Sequence, residues 1–280
     1  MTDFVPEVVP VRPAATVMLI DDRPDLQVFM MERHANTVFA GGMWVFPGGA
    51  VDHQDDASYY STIATHRTDS EASALMDLES GGLAYFMAAI RETFEEAGIL
   101  LALHQHDERP LSLNAENLTR FEQYRYQLNA GDIDLKSILE KESLLADVGQ
   151  MHYIARWITP LGSPRRFDAR FFISCIPSEQ VPIHDNGELV NSTWMSPHEI
   201  LEKFEREEMA LMSPTLRMVR NLAAFDSAEQ VIQAVEKNPL DEQARVHRDS
   251  GVIVMPGEPG YDDALTEVEN GWVRLRPQPL

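Results

Sequence analysis

The chain of 280 residues contains a single cysteine, Cys175. One cysteine cannot form an internal disulfide bond or a cysteine-based zinc site, so we expect a reducing compartment, by default the cytoplasm. No run approaches the roughly 18 consecutive apolar residues that a membrane span requires, and residues 1–16 lack the basic start and apolar stretch of a signal peptide. The sequence therefore predicts a protein that neither crosses a membrane nor is exported.

Basic residues are also scarce, because 23 Lys and Arg stand against 45 Asp and Glu, a formal net charge of −22. Binding to a nucleic-acid polymer depends on Lys and Arg that neutralise phosphates, so this charge argues against such a partner. An anionic small substrate would need metal ions or a local arginine cluster to hold it. The length allows one elaborated domain or two small ones.

Short apolar segments bounded by turn residues predict strands. Residues 16–21 and 26–33 indicate a hairpin around an acidic turn. Later strands are expected at residues 151–158, 170–176 and 189–194, and Cys175 on the second of these is expected in the core. The clearest helix is Leu83–Gly98, whose apolar residues fall on one face at helical spacing and whose glycine is placed to end it. Further helices are expected at residues 70–79, 117–128, 135–145, 197–205, 213–224 and 227–237.

Three carboxylates cluster near the end of that helix. Glu92, Glu95 and Glu96 stand at i, i+3 and i+4, where like charges cost about 0.2–0.5 kcal/mol per pair. The helix dipole disfavours anions in the last turn by roughly 0.3–1 kcal/mol each. A bound divalent cation would remove both costs, and oxygen ligands suit Mg²⁺ or Mn²⁺ better than zinc. Ala88 and Ala89 beside the acids would leave room for ions and substrate. The alternative is a solvated acidic face.

An arginine adjoins these acids, and the segment FPGG at residues 46–49 ends a strand upstream. Together the two segments resemble the Nudix hydrolase family, whose box reads G-x5-E-x7-R-E-U-x-E-E-x-G-U with U a bulky apolar residue. Residues 91–99 (RETFEEAGI) match its second half, except that Thr93 stands at an apolar position. Gly48 and Gly49 match its start. The resemblance implies an α/β/α sandwich with a mixed sheet between helices.

An insertion of about 28 residues separates the two halves of the box. Counted from Gly49, the first glutamate of the family would fall at Asp55, and counted back from Arg91 it would fall at Leu83. Asp52 or Asp55 could supply the missing carboxylate.

The resemblance also predicts how the chain is organised. We expect an N-terminal arm at residues 1–14 and a Nudix domain at 15–206, with insertions at about 52–82 and 104–148. Residues 207–280 would form a C-terminal helical extension and tail packed on that domain.

Carried over by position, the resemblance implies metal ligands at Glu92, Glu95 and Glu96, with the backbone carbonyl of Gly48 as a further ligand. Arg91 would pair with a carboxylate and orient it. The alternative for Arg91 is a surface ion pair with Glu95, which would contribute little to stability.

Family members usually break a phosphoanhydride by water attack at phosphorus and need a general base. Glu92, or an acid from a later loop such as Glu188 or Glu179, could fill that role. Glu188 is preferred among the later acids because it directly precedes a predicted strand. A solvated loop glutamate is the alternative for it.

A branch of the family that hydrolyses CoA carries an Arg-containing strand followed by G-x3-F-P-G-G. Residues 42–49 (GMWVFPGG) match that pattern, and Arg33 fits the strand, although Val38 stands where a second arginine is expected. Arg33 and Phe46 would then contact substrate. The long insertion, the helical segment after the box and the segment PRRFDARFF at residues 164–172 further resemble relatives of the peroxisomal CoA diphosphatases.

Arg165, Arg166 and Arg170 form the densest basic cluster in the chain. The first two are our candidates for binding a substrate phosphate through charge-assisted hydrogen bonds. The alternative is that the cluster neutralises the acidic body or pairs with Asp168.

The function implied by the resemblance is metal-dependent hydrolysis of a small-molecule diphosphate, preferably CoA or acyl-CoA, to 4′-phosphopantetheine and adenosine 3′,5′-bisphosphate. The alternatives are an ADP-ribose, nucleotide-sugar or dinucleotide pyrophosphatase, or a silent nucleotide-sensing module, against which the intact glutamates argue. Whether the chain forms a homodimer is left open.

Overall fold

The computed structural model describes residues 9–37, 40–182, 189–237, 242–246, 252–264 and 271–276. In chain order the first elements are β1 (Val11–Asp22), β2 (Leu26–Arg33), β3 (Trp44–Val45), β4 (Gly48–Ala50), α1 (Ala57–Tyr60), β5 (Ala64–Thr65), α2 (Asp69–Leu75), α3 (Gly82–Ala97), β6 (Ala102–His104), α4 (Leu118–Asn129), α5 (Leu135–Lys141) and β7 (Leu144–Asp147). They are followed by β8 (His152–Ile158), β9 (Arg166–Cys175), β10 (Leu189–Met195), α6 (Pro197–Glu205), α7 (Ser213–Leu222), α8 (Ala228–Lys237), β11 (Glu242–Gln243), β12 (Arg245–Val246), β13 (Ile253–Val254) and β14 (Trp272–Val273).

A mixed sheet with the strand order β10-β2-β1-β9-β8-β14-β11 runs through the centre, with β3 beside β2 and β4 beside β1. β1 and β9 are parallel, whereas β1 with β2 and β8 with β9 are antiparallel. Helices cover both faces, and the predicted α/β fold with a mixed sheet is confirmed. β14 joins the sheet next to β8, so the last part of the chain extends the sheet.

β1 lies at the centre of this sheet and is buried on both faces. Ala15, Val17 and Leu19 pack in the core on the side of α3, and Met18 and Ile20 pack in the core on the side of α6, α7 and α8. An unbroken apolar run suits a strand that is covered on both sides. The strand begins at Val11, so part of the predicted arm belongs to the sheet, because β4 and β9 both pair with its first residues.

α3 is the helix predicted at residues 83–98. Its apolar residues Leu83, Phe86, Ile90 and Phe94 are buried, and Gly98 ends it in the left-handed conformation with its N–H bonded to the Phe94 carbonyl. Burial extends beyond the predicted face. Ala88 and Ala89 are fully buried, so the room that we expected beside the acids is filled by core.

The first insertion carries a 3-10 turn, α1, β5 and α2 between β4 and α3. α2 caps the N-terminal end of α3, where backbone N–H groups have no partner within the helix. Asp69 accepts hydrogen bonds from the N–H groups of Gly81 (3.0 Å) and Leu83 (2.9 Å), and the Ser73 hydroxyl accepts one from Gly82 (2.9 Å). The inserted segment therefore helps to fix the helix that bears the glutamates.

Two further expectations were wrong. The helix predicted at 135–145 ends at Lys141, and Leu144 belongs to strand β7, because Ser143 takes a left-handed conformation and β7 pairs with β5 and β6. Cys175, expected in the core, is exposed at the end of β9. Across the described residues, no helix is both long and apolar enough to cross a membrane.

Candidate active site

Arg91 lies at the centre of the candidate site. Its Nε and Nη2 donate to the two carboxylate oxygens of Asp55 at 2.8 and 2.9 Å, and Nη2 also donates to the carbonyl of Ala50 at 2.9 Å. Its Nη1 donates to Glu92 Oε1 and to Glu95 Oε2, both at 2.9 Å. Only 4% of Arg91 is exposed, so it is not the surface ion pair considered as an alternative.

Asp55 occupies the position that counting from Gly49 assigns to the first acid of the box. It is fully buried, and Asp52 donates its backbone N–H to Asp55 Oδ2 at 2.7 Å. Burial raises the pKa of Asp55, and the two hydrogen bonds from Arg91 oppose that effect. Asp55 therefore faces Arg91, and the insertion that splits the box begins after it.

The loop with the two glycines brings main chain against the helix carboxylates. The N–H of Gly48 donates to Glu96 Oε2 at 2.8 Å. A Cβ added at Gly49 would overlap the carboxylate of Glu92, so any side chain there would displace that acid. β4 holds both glycines in place through its pairing with Ala15 and Thr16 of β1.

The environment of Glu95 favours its protonated form. Burial raises the pKa of Glu95 to about 7, against the opposing effect of Arg91 and with a further increase from the charge of Glu92. A carboxylate that titrates near neutral pH is typical of functional sites, and structural ion-pair networks such as the one around Arg91 produce the same effect.

The donor set fits a hard divalent cation in its chemistry. Glu92 and Glu95 converge on one guanidinium nitrogen, and Glu96 is held by the loop, so three carboxylates lie along one side of α3. In their present arrangement, no three His, Cys, Asp or Glu side chains of the described residues meet closely enough to enclose an ion. Hydrogen bonds from Arg91 and Gly48 engage oxygens of the three glutamates, and these bonds account for part of the distance between the carboxylates.

Some predicted substrate residues lie elsewhere. Phe46 is 3% exposed and packs edge-to-face on Phe171, in the core on the sheet face opposite α3. Phe46 directly follows β3 and leaves little of its side chain exposed, and its contact with substrate stays a prediction. Arg33 is half-buried at the end of β2, where its N–H bonds to the Met43 carbonyl.

The predicted phosphate-binding pair is divided between surface and interior. Arg165 is exposed, whereas Arg166 is buried and donates from Nε to the Thr159 carbonyl at 3.0 Å. Arg170 lies 3.5 Å from Asp168, as the alternative for this cluster proposed. Glu188, the preferred later acid, lies outside the described residues, as does Val38.

Several contacts had no signal in the sequence. Asp55 was one of two candidates for the missing carboxylate, but the hydrogen bond from Arg91 Nη2 to the Ala50 carbonyl was not expected. Arg125 of α4 contacts the backbone of Glu95 and Glu96. The sequence did not indicate this contact, because Arg125 stands about 30 residues farther along the chain. Its helical segment was predicted without any indication of what it packs against.

Comparison with known proteins identifies the family of the chain. The family of the NUDT19 Nudix domain matches residues 64–222. Acyl-coenzyme A diphosphatase NUDT19 of Homo sapiens is 26% identical over 281 residues, which cover 87% of this chain and 74% of that protein. The protein of the same name from Gallus gallus is 24% identical and covers 90% of this chain and 80% of its own length.

Among solved structures, the NUDIX hydrolase from Alicyclobacillus acidocaldarius superposes with a TM-score of 0.65 at 26% identity, covering 81% of this chain and 98% of that one. The family match spans more than half of the chain and includes the whole of α3. The chain therefore belongs to the NUDT19 Nudix domain family and is a Nudix pyrophosphohydrolase.

Proposed function

We propose that the protein hydrolyses the diphosphate of CoA or acyl-CoA in a reaction that depends on Mg²⁺ or Mn²⁺. The products would be 4′-phosphopantetheine, acylated when the substrate is, and adenosine 3′,5′-bisphosphate. The observation that carries the chemistry is the convergence of Glu92 and Glu95 on Arg91, with Glu96 held by Gly48. The CoA substrate is supported by the GMWVFPGG segment and by the names of the similar NUDT19 proteins. The single cysteine supports a reducing compartment such as the cytoplasm.

We assign metal binding, ligand orientation and proton acceptance to different residues of the chain. Glu92, Glu95 and Glu96, with the carbonyl of Gly48, would hold the cation. Arg91 fixes Glu92 and Glu95 from one side, and Asp55 fixes Arg91. A divalent cation bound there would neutralise the diphosphate oxygens and activate the attacking water. Glu92 or Glu188 would accept the proton of that water.

The test is a turnover panel at saturating Mg²⁺ with CoA, an acyl-CoA, dephospho-CoA, ADP-ribose, a nucleotide sugar and a dinucleotide. We expect the highest kcat/KM for CoA or the acyl-CoA, with both products identified by mass spectrometry and activity removed by EDTA. Efficient turnover of ADP-ribose or a nucleotide sugar without CoA turnover would overturn the substrate proposal and leave the family assignment intact.

Dephospho-CoA lacks the 3′-phosphate, so it tests the exposed arginine directly. If Arg165 binds that phosphate, Arg165→Ala should lower kcat/KM for CoA more than it lowers kcat/KM for dephospho-CoA. Arg166 is unsuitable for the comparison, because its buried side chain bonds to the Thr159 carbonyl and its removal would disturb the fold. Equal losses on the two substrates would contradict a phosphate contact by Arg165.

A further inference from the structure

The C-terminal end of α3 is completed by a side chain from the second insertion. The last four carbonyls of a helix have no partner within it. Gly98 bonds to the carbonyl of Phe94. Arg125 of α4 bonds to the next two, from Nε to the Glu95 carbonyl at 2.8 Å and from Nη2 to the Glu96 carbonyl at 2.7 Å. Asn129 adds a bond of 3.3 Å to the Glu95 carbonyl.

These bonds hold the backbone of Glu95 and Glu96, two of the three glutamates proposed to bind the cation. The guanidinium of Arg125 also places a positive charge at the negative end of the helix dipole, directly beneath two acidic residues. Arginine suits this position because its planar fork reaches two acceptors at once. The insertion is held against α3 by apolar packing as well, since Phe94 and Phe121 lie edge-to-face with centroids 6.5 Å apart.

We propose that Arg125 is a positioning residue for Glu95 and Glu96, through which the second insertion sets the affinity of the site for its divalent cation. This inference rests on the proposed metal-binding role of the three glutamates. Arg125 fixes where the last turn of α3 lies, and the carboxylates of that turn can close around a cation only from a defined backbone position. Groups that orient metal ligands typically change metal affinity by 10–100-fold when they are removed.

Binding of Mn²⁺ alone to the metal-free protein, followed by electron paramagnetic resonance or calorimetry, measures this without turnover. We expect Arg125→Met to weaken Mn²⁺ binding on the order of 10–100-fold. Arg125→Lys should lie between it and the wild type, because an ammonium cannot span both carbonyls. In turnover assays the same variants should raise the Mg²⁺ concentration needed for half-maximal rate more than they lower kcat at saturating Mg²⁺.

Arg120→Met is the matched control. Arg120 lies on the same helix but bonds to Glu142, with both contacts at 2.9 Å, and it should bind Mn²⁺ as the wild type does. Circular dichroism melts establish that each variant is folded at the temperature of the binding assay. If Arg125→Met is poorly folded, Arg125→Lys keeps a cation at the helix end and supports the same comparison.

The proposal and the function beneath it fail in different ways. A folded Arg125→Met or Arg125→Lys protein that binds Mn²⁺ with wild-type affinity would overturn the positioning role. Retention of Mn²⁺ binding in a Glu95→Gln, Glu96→Gln double variant would instead overturn the metal site on which it rests. Loss of binding in the double variant with no effect of Arg125 would refute only the positioning role.

Discussion

Two buried arginines in this protein have opposite surroundings. Arg91 is 4% exposed and contacts the carboxylates of Asp55, Glu92 and Glu95. Arg170 is 1% exposed, and its nearest acid, Asp168, is already bonded to Arg156 at 2.8 and 2.7 Å. The first group has an excess of negative charge and the second an excess of positive charge.

The second group is completed by other partners. Arg170 bonds to the hydroxyl of Tyr153 at 2.7 Å and to the carbonyl of Met76 at 3.1 Å, and it lies over the ring of Tyr85. Arg274 reaches the carbonyl of Leu75 at 3.4 Å. Two arginines thus hold the C-terminal end of α2. The negative charge around Arg91 would be neutralised by the proposed cation, whereas the arginines of the second group anchor the first insertion through hydrogen bonds to backbone carbonyls.

The largest effect should come from breaking the anchor. Arg170→Met should lower the free energy of unfolding by about 3 kcal/mol, the lower end for removing one partner of a buried ion pair, since Asp168 keeps Arg156. Urea melts measure this, with exposed Arg165→Met as a control expected within about 0.5 kcal/mol of the wild type. Mn²⁺ affinity of the folded protein should be unchanged. A selective loss of Mn²⁺ affinity with normal stability would reverse the roles of the two arginines.

Substitutions in the acidic group around Arg91 should reduce turnover without lowering stability. Glu95→Gln or Glu96→Gln should reduce turnover at least about 100-fold, equivalent to about 2.7 kcal/mol, because each removes a proposed metal ligand. The melting temperature of the metal-free protein should not fall, since neutralising either residue relieves repulsion in the last turn. Glu140→Gln, exposed on α5, is the control. Near-normal turnover at saturating Mg²⁺ would refute the assignment of that residue.

The negative charge around Arg91 also predicts that the stability of the metal-free protein depends on pH. Because the pKa of Glu95 rises from 4.5 to about 7 on folding, the folded state binds more protons than the unfolded state between these values. The contribution of Glu95 to stability is therefore present below about pH 4.5 and is lost as the pH rises through about 7. Urea melts from pH 5 to 8 should show this decline, and Glu95→Gln should reduce it. If stability declines with pH equally in the wild type and in Glu95→Gln, a group other than Glu95 is responsible for the decline.

The smallest effect concerns the departure from the family pattern. Thr93 is fully buried, and within the described part of the chain its hydroxyl has no hydrogen-bond partner. Thr93→Val keeps the shape and removes the uncompensated hydroxyl, so it should raise the free energy of unfolding by about 1–2 kcal/mol. Thr215→Val on α7 tests whether any buried threonine gives the same gain. A loss of stability in Thr93→Val would indicate that the hydroxyl is hydrogen-bonded in the folded protein.

The sequence predicted the parts of the site that lie within one helix and one loop. The spacing of Glu92, Glu95 and Glu96 is a property of helical geometry, and the pattern around Gly48 is local. The contacts of Arg125 and Arg170 cross 29 to 94 positions, and no short pattern encodes which partner such a side chain will meet. Cys175 was misplaced for a related reason, because exposure at the end of a strand depends on which layers cover it.

The ion pair between Asp55 and Arg91 also bears on how the split box tolerates its insertion. The two residues stand 36 positions apart, whereas an uninterrupted box spaces them by eight. Loop-closure entropy grows only with the logarithm of length, so the longer loop costs about 1.3 kcal/mol. The bonds of Asp69 and Ser73 to the start of α3 are of a size to offset that cost. The junction after Asp55 is therefore a place where chain length can change at little thermodynamic cost while the paired groups stay in register.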